Sequence, residues 1–354
     1  MNHIEKIAAA LPEYGLDAML IVSAPGERYA VGFEGEGTVL VTRSGCHYFT
    51  DSRYIEAAQN TIQNAHVECV GRGRGHLDLT AQVMQAENLQ LVGFESDRVS
   101  VDRLERWQDK LPCTLISAPD LLSRLRASKD EGELTLMRRA QAITDRAFSN
   151  LLNFIRPGLT EREIAARLVY ELMSLGGSKP SFDPIVAAGP SGSMPHAIPG
   201  GQVIGPGMFI TLDFGCIYEG YCSDMTRTVA VGTPTDEMAT VYQTVLNAQL
   251  AGLAAARAGV SGKQVDEAAR TVIEQAGYGE FFGHSLGHSL GLEIHEGPNF
   301  SPGEETVMPV GAVVSCEPGI YLPGRFGVRI EDVVILQQDG CEIITASPKE
   351  LLIL

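Results

Sequence analysis

Hydrophobic and polar residues alternate with a period of two along residues 209–231, FITLDFGCIYEGYCSDMTRTVAV. Apolar side chains fall on one side of the predicted strand, and Asp213 falls on the other. After a turn signal at Glu219-Gly220 the alternation resumes, with Asp224 again on the polar side. The pattern therefore predicts a hairpin that holds two carboxylates on one face. They are either solvated on an exposed sheet face or held close together, which requires a cation between them or a proton on one of them.

Strand and helix patterns alternate along residues 1–127, which is typical of an α/β domain. The predicted helices cover residues 4–14 and 100–111 with one more from near 52, and the predicted strands cover 18–22, 38–42, 46–50, 66–70 and 91–94. GRGRGH at 71–76 is interpreted as a flexible loop, because it neither follows a clear strand nor opens a helix. The histidines without carboxylate neighbours at ligand spacing are assigned no chemistry: His3, His47, His66 and His76.

An internal repeat organises the rest of the chain, after a long helical pattern that begins near Ser128. RPGLTEREI at 156–164 is answered by RAGVSGKQV at 257–265. Both copies contain a hydroxyl residue followed three positions later by Glu or Gln, which predicts a capped helix start. The paired capping residues are Thr160 with Glu163 and Ser261 with Gln264.

The repeat continues into the strands and reproduces acidic positions. GMFITLDFG around Asp213 is matched by GAVVSCEPG around Glu317. SDMTRTVAV, which contains Asp224, is matched by RIEDVVIL, which contains Glu331. We infer two similar halves about an approximate two-fold axis, with one carboxylate from each half at each equivalent place. Four buried carboxylates would be costly unless two divalent cations neutralised them.

Composition and charge exclude several classes of protein. A chain of 354 residues predicts roughly two domains, and its 27 basic and 44 acidic residues give a net charge of −17. No run of Lys or Arg exceeds two residues, which argues against a nucleic-acid partner. No stretch has the apolar length of a membrane span or of a signal peptide. Seven cysteines without a CxxC pair favour a reducing cytoplasm.

Three of the eight histidines lie close together in GHSLGHSLGLEIHEGP, at His284, His288 and His295. The first two have the spacing of metal ligands on a helix, but the glycines between and around them argue against a regular helix. A single histidine in such an apolar setting is commonly a structural residue. Three in one segment indicate instead that one is a metal ligand and that the others handle protons.

The motifs D(x10)D, GHxxGHxxGLxxHE, EPG(x)Y and GVRIED, in this order, resemble the pita-bread metallopeptidases, specifically the aminopeptidase P and prolidase group. FTDSRY at 49–54 is similar to the creatinase-like N-terminal domain of that group, so the resemblance covers the whole chain. It implies an α/β (α+β) architecture: a creatinase-like N-terminal α/β domain at 1–127, then a pita-bread catalytic domain at 128–354 with a pseudo-two-fold internal repeat.

The resemblance also implies a dinuclear metal site. The implied ligands are Asp213 chelating one metal, Asp224 and Glu331 bridging both metals, and His288 and Glu317 completing the second. Four carboxylates and a single nitrogen donor favour a hard to borderline cation. We therefore expect Mn²⁺ or Co²⁺, with Zn²⁺ also possible.

Further catalytic roles follow from the same resemblance. Glu317 would move a proton from the attacking water. His284 and His295 would line the site, one stabilising the oxyanion and the other binding the substrate carbonyl or tail. His196, in SMPHAIPG, is similar to the family histidine that lies over the leaving amine. Arg329 precedes a bridging carboxylate by two residues on the same strand face and would orient it.

One departure bears on the substrate. Prolidases commonly have an arginine after the HExP segment that binds the free carboxylate of a dipeptide, whereas this chain has Asn299. We therefore expect an Xaa-Pro aminopeptidase acting on short proline-containing peptides. An Xaa-Pro dipeptidase is the alternative, with Arg325 in a nearby loop supplying the missing charge. A metal-independent creatinase-like C–N hydrolase and a non-catalytic binding protein are disfavoured, because all five ligands are present. Relatives often pair, so a homodimer is expected.

Overall fold

Residues 1–354 are all described by the computed structural model, and they divide into two units, Met1–Arg126 and Ala127–Leu354. The elements of the N-terminal part are α1 (His3–Ala10), β1 (Ala18–Ile21), α2 (Ala24–Val31), β2 (Thr38–Thr42), β3 (Cys46–Thr50), α3 (Ile55–Thr61), β4 (His66–Cys69), α4 (His76–Ala86), β5 (Leu91–Phe94), α5 (Val101–Lys110), β6 (Thr114–Ser117) and α6 (Pro119–Ala127). The strands form one mixed sheet in the order β4-β3-β2-β1-β5-β6, with antiparallel pairs on both sides of β2 and parallel pairs elsewhere.

The strands of this unit agree closely with the predicted ones apart from β6, but three helices, α2, α4 and α6, were not predicted. Residues 71–75 of GRGRGH form a connection between β4 and α4, as predicted, but the segment does follow a strand, and its last residue, His76, opens a helix, so both grounds for that prediction are wrong. The start of α4 lacks a Ser, Thr, Asp or Asn cap. Gly75 takes that position, and its N–H donates to Asp78 Oδ2 at 2.8 Å. A glycine cap gives a weaker sequence signal than a side-chain oxygen.

The elements of the second unit are α7 (Glu131–Leu152), α8 (Glu161–Ser174), β7 (Lys179–Pro180), β8 (Ile185–Ala188), β9 (Met208–Phe214), β10 (Cys216–Tyr218), β11 (Tyr221–Cys222), β12 (Met225–Val231), α9 (Asp236–Ala255), α10 (Gly262–Gln275), β13 (Gly287–Ser289), β14 (Glu296–Phe300), β15 (Val313–Cys316), β16 (Gly319–Leu322), β17 (Phe326–Arg329), β18 (Asp332–Gln337) and β19 (Gly340–Ile343). Its main sheets run β12-β9-β8 and β14-β13-β15-β18-β19. None of the helices is long and apolar enough to cross a membrane.

Each half of the predicted repeat has its own helix pair and its own apolar core. Helices α7 and α8 pack on β8, β9 and β12, and α9 and α10 pack with β15, β17 and β18. The predicted caps of α8 and α10 are confirmed: Thr160 Oγ1 accepts from Glu163 N–H at 3.2 Å, and Ser261 Oγ accepts from Gln264 N–H at 3.4 Å. The two halves therefore begin their second helices by the same local chemistry.

The predicted hairpin forms, and its polar face is buried. Strands β9 and β12 are antiparallel, Asp213 lies opposite Thr226, and Asp224 directly precedes β12. Glu219 and Gly220 both have positive φ angles, 48° and 88°, as the tight turn between β10 and β11 requires. Thr226 is fully buried, so the alternative of solvated aspartates on an exposed sheet face is wrong.

In the two halves, Asp224 and Glu331 occupy equivalent positions relative to their strands. Asp213 and Glu317 do not, because their positions differ by two residues in strand register. Glu331 directly precedes β18, just as Asp224 directly precedes β12. Asp213 lies within β9 and is paired with the second residue of β12. Glu317 instead lies just beyond β15, directly after its last residue. The predicted equivalence of Asp213 and Glu317 is therefore wrong by two positions. A shift of two keeps both carboxylates on the same face, so they still converge.

A buried arginine attaches the last segment of the chain to the hairpin. Arg227 is 1% exposed, and its Nη2 donates to Asp332 Oδ1 and to the Ser347 carbonyl, both at 2.8 Å. Its Nε donates to the Pro348 carbonyl at 2.9 Å. Without Arg227, the Ser347 and Pro348 carbonyls would lose this donor, at about 1–3 kcal/mol each, whereas Asp332 would keep its ion pair with Lys349 at 2.5 Å.

We expect Arg227→Met to lower the free energy of unfolding by about 2–6 kcal/mol, measured by urea denaturation. Arg325→Met is the matched control, because Arg325 forms an exposed ion pair with Glu237. Such pairs contribute about 0–1 kcal/mol. Equal losses from the two variants would show that the buried network does not stabilise the fold.

Candidate metal centre

Five side chains from both halves of the second unit line one cavity of about 640 Å³. β9 carries Asp213, Asp224 precedes β12, β13 carries His288, Glu317 follows β15, and Glu331 precedes β18. All five predicted metal ligands therefore meet in one place, although 118 positions separate the first from the last (331 − 213). The antiparallel strand pairs bring them together, since each pair ends where its carboxylates lie.

Four of the five residues, Asp224, His288, Glu317 and Glu331, have donor atoms close enough together to share bound cations. One ligand atom each from Asp224, His288 and Glu331 lies within 4.8 Å of the others. His288 Nε2 is 3.5 Å from Asp224 Oδ2 and 3.4 Å from Glu317 Oε1. Its Nδ1–H donates to the Ser289 carbonyl at 3.3 Å, which leaves the lone pair of Nε2 directed at the carboxylates. Burial lowers the pKa of His288, so the ring is neutral, as a metal ligand must be.

The carboxylates repel one another in the protein alone. Burial raises the pKa values of Asp224 and Glu331 well above the ordinary range, and neighbouring carboxylates, Glu331 for Asp224 and Glu317 for Glu331, raise them further. Burial likewise raises the pKa of Glu317. Asp213 Oδ1, Asp224 Oδ1 and Glu331 Oε1 are buried without any hydrogen-bond partner. Buried acceptors of this kind normally have a partner, and divalent cations would satisfy all three at once.

Arg329 is buried beside this cluster and contacts Asp213 directly. Its Nη2 donates to Asp213 Oδ2 at 2.5 Å, and its Nε donates to Thr226 Oγ1 at 3.0 Å. Thr226 Oγ1–H in turn donates to Glu331 Oε2 at 2.7 Å. The predicted influence of Arg329 on Glu331 is therefore transmitted through a threonine. Nothing in the sequence singled out Thr226 beyond its place on the polar face of the strand.

His284 joins the same network through Tyr321, a residue to which the sequence assigned no role. Arg329 Nη1 donates to the Tyr321 hydroxyl at 2.7 Å, and that hydroxyl donates to His284 Nε2 at 2.9 Å. His284 Nδ1–H donates to the Ser285 carbonyl at 2.8 Å. Both ring nitrogens of His284 therefore have protein partners. Burial lowers the pKa of His284 and raises that of Tyr321 to about 12, so both remain neutral.

His295 and His196 also line the cavity, and both are exposed to solvent. The ring of His295 packs edge-on against His288, with 4.4 Å between the ring centroids. Neither His295 nor His196 has a hydrogen-bond partner in the protein, in contrast to His284. These two imidazoles are the ones available to contact a substrate.

The cavity contains no cation that is free to bind a carboxylate. Arg329 is the only lysine or arginine that lines it, and its guanidinium already contacts Asp213 and Tyr321. Arg325 pairs with Glu237 and does not line the cavity, so the hypothesis that Arg325 supplies the missing charge is wrong. Asn299 does line the cavity, and its Oδ1 accepts from the Ser289 N–H at 3.0 Å.

Comparisons with known proteins agree with this geometry. Residues 135–338 match the model of metallopeptidase family M24, and residues 3–128 match the creatinase/prolidase N-terminal domain. The chain is 38% identical to an Xaa-Pro dipeptidase of Pyrococcus furiosus, over 99% of both chains. Two solved structures are similar at 39% identity: an Xaa-Pro dipeptidase from Bacillus anthracis (TM-score 0.96, 99% of both chains) and an X-Pro aminopeptidase from Thermotoga maritima (TM-score 0.92, 96% of this chain and 98% of that one).

Proposed function

Because the chain belongs to metallopeptidase family M24, we propose that it is an exopeptidase that hydrolyses the bond between an N-terminal residue and a following proline. The observation that carries this proposal is the cluster of four carboxylates and one imidazole in a single cavity, with three buried oxygens lacking partners. The similarity to Xaa-Pro dipeptidases and to an X-Pro aminopeptidase supports the same bond as the target.

The residues that would hold two divalent cations are Asp213, Asp224, His288, Glu317 and Glu331. Their donor atoms fit Mn²⁺ or Co²⁺ best, because carboxylate oxygen predominates and only one nitrogen is available. When bound, the cations would lower the pKa of water and polarise the scissile carbonyl. Metal analysis of the purified protein, with the expectation of about two equivalents per chain, tests this assignment.

The remaining chemistry is assigned to side chains around the cluster. Glu317 accepts a proton from the attacking water and returns it to the proline nitrogen as the peptide bond breaks. His295 donates to the carbonyl oxygen as negative charge develops on it, because its nitrogens are free. His196 binds the leaving amine. His284 supports the site through Tyr321 and Arg329.

We further propose that the substrate is a peptide longer than two residues. A dipeptide places its negative carboxylate one residue beyond the scissile bond, and the cavity offers no unpaired cation there. A longer peptide has a neutral amide at that place, to which the side chain of Asn299 is suited. Two relatives are named Xaa-Pro dipeptidases, and comparing a dipeptide with a tripeptide distinguishes the two preferences.

We expect a higher kcat/KM for Ala-Pro-Ala than for Ala-Pro in the presence of Mn²⁺, measured by release of alanine. Asn299→Arg is the informative variant, because an added guanidinium would bind the dipeptide carboxylate. A charge-assisted hydrogen bond of about 1.5–3 kcal/mol corresponds to roughly 10-fold or more in favour of Ala-Pro. If the unmodified enzyme prefers Ala-Pro, the proposed preference for longer peptides is wrong and the enzyme is an Xaa-Pro dipeptidase.

The metal dependence and the cellular setting complete the proposal. Loss of activity in a chelator, restored by Mn²⁺, distinguishes this enzyme from a metal-independent creatinase-like hydrolase. All seven cysteines are free, which supports a location in the reducing cytoplasm. We also propose a homodimer, which sedimentation of the purified protein would test.

A further inference from the structure

Asp183 is an exposed carboxylate that lines the cavity but is not one of the five proposed metal ligands. It lies in the short connection between β7 and β8 and has neither a hydrogen bond nor an ion pair within the protein. The only basic side chain of the cavity, Arg329, is buried against Asp213. The negative charge of Asp183 is therefore uncompensated and available to a ligand.

The connection that carries Asp183 is attached at both ends to the hairpin that carries the proposed ligands Asp213 and Asp224. On one side, Ser181 N–H donates to the Gly215 carbonyl at 3.1 Å, and Ser181 Oγ donates to the Ser223 carbonyl at 2.9 Å. On the other side, Ile185 pairs directly with Asp213 across β8 and β9. Only three residues lie between these two attachments. Asp183 is therefore held at a defined place beside the cluster.

The wall around Asp183 is apolar. Phe182, Pro184 and Ile185 line the cavity on either side of it in sequence, and Ile198 lines it from another loop. Such a surface suits the methylene stem of a lysine or arginine side chain, which packs on apolar groups while its charged end reaches a carboxylate or water. A carboxylate at the end of an apolar wall is thus a complementary site for a long basic side chain.

The position of the scissile bond determines which part of a substrate meets this wall. The carbonyl of the first residue must reach the carboxylate cluster, which brings that residue close to Asp213. Ile185 lies about 5 Å from Asp213 across the strand pair, and Asp183 lies two residues, or about 7 Å, further along the chain. The side chain of the first residue can therefore extend from the cluster across Ile185 to Asp183.

We propose that Asp183 selects substrates whose first residue is lysine or arginine, an inference that rests on the proposed Xaa-Pro activity. The net charge of −17 acts in the same direction, because it attracts cationic peptides. The proposal assigns a specificity role to Asp183 and none in the hydrolysis itself.

The test compares kcat/KM for Arg-Pro-Ala, Lys-Pro-Ala and Leu-Pro-Ala in the Mn²⁺-loaded enzyme and in Asp183→Asn. We expect the ratio of basic to neutral substrate to fall about fivefold in the variant, while Leu-Pro-Ala is unaffected. Asp183→Lys should reverse the preference in favour of Glu-Pro-Ala. Asp339→Asn is the matched control, because Asp339 is an exposed aspartate outside the cavity and its loss should leave the ratio unchanged.

Each other outcome overturns the proposal. An equal loss for all substrates would show that Asp183 binds the N-terminal amine, which every substrate carries, and unchanged ratios would show that it binds nothing. Calorimetric binding of L-arginine and L-leucine to the Mn²⁺-loaded protein provides a readout without turnover. If no peptide is hydrolysed, the proposed function fails, and the arginine preference is then decided by binding to the unmodified protein and to Asp183→Asn.

Discussion

Replacing Asp224 by asparagine is expected to abolish peptidase activity and at the same time to stabilise the metal-free fold. Asp224 is 3% exposed, and burial, followed by the charge of Glu331, raises its pKa well above the ordinary range. Asparagine keeps the shape of the side chain but removes the charge that repels its neighbours. It also removes a proposed bridging ligand. We therefore expect kcat/KM to fall by more than the roughly 100-fold that changes to supporting residues around metal sites typically cause.

Three measurements on Asp224→Asn separate these effects: kcat/KM on an Xaa-Pro tripeptide, metal content after dialysis, and Tm in a chelator. The expected result is lost activity, reduced metal content and a Tm equal to or above that of the unmodified protein. Asp339→Asn, an exposed aspartate outside the cavity, should change none of the three. A variant that binds metal normally would contradict the ligand assignment, and a strongly lowered Tm would show that Asp224 stabilises the fold itself.

The metal-free protein is expected to lose stability as the pH rises above the ordinary carboxyl pKa values of 3.8 and 4.5, and bound metal should reverse this loss. The pKa values of Asp224, Glu317 and Glu331 are raised by burial above their ordinary values of 3.8 and 4.5. The folded state therefore binds more protons than the unfolded state in this range. Stability is complete below the ordinary carboxyl pKa and declines as the pH rises toward the raised values, because the buried carboxylates must then ionise.

Thermal unfolding across this pH range, in a chelator and in Mn²⁺, tests the expectation. Cations that bind only the folded state stabilise it by about 2.7 kcal/mol at a free concentration 100 times Kd. The gain should increase with pH, because deprotonated ligands bind metal better. The Asp224→Asn variant should show a shallower pH dependence in the chelator. Parallel curves with and without metal would mean that the carboxylates are not linked to metal binding.

Local signals explain which parts of the fold the sequence predicted. Thr160 and Ser261 marked their helices because a hydroxyl three residues before Glu or Gln satisfies backbone groups locally. Helix α4 was not predicted, because Gly75 provides no capping side chain. Helix α2, Ala24–Val31, contains Pro25-Gly26 in its first turn, and this pair of residues is a turn signal. Short elements of this kind are fixed by the tertiary packing around them.

Long-range pairing explains which parts of the site the sequence predicted. The acidic residues were found because the repeat and the family motifs mark them in the linear sequence. Tyr321 and Thr226 were not assigned roles, since each acts through Arg329, which lies in another strand. The two-residue offset between Asp213 and Glu317 was also missed, because it depends on strand register and not on the order of residues.

Each half of the second unit has a separate apolar core, yet only the two halves together complete the ligand set. The first half carries only Asp213 and Asp224, and its buried Arg227 has its partners, Asp332 and the Ser347 and Pro348 carbonyls, in the last part of the chain. A chain without its second half would therefore lack three of the five proposed ligands, His288, Glu317 and Glu331, as well as the partners of that buried charge. The duplicated architecture thus ties assembly of the proposed metal site to the presence of both halves of the second unit.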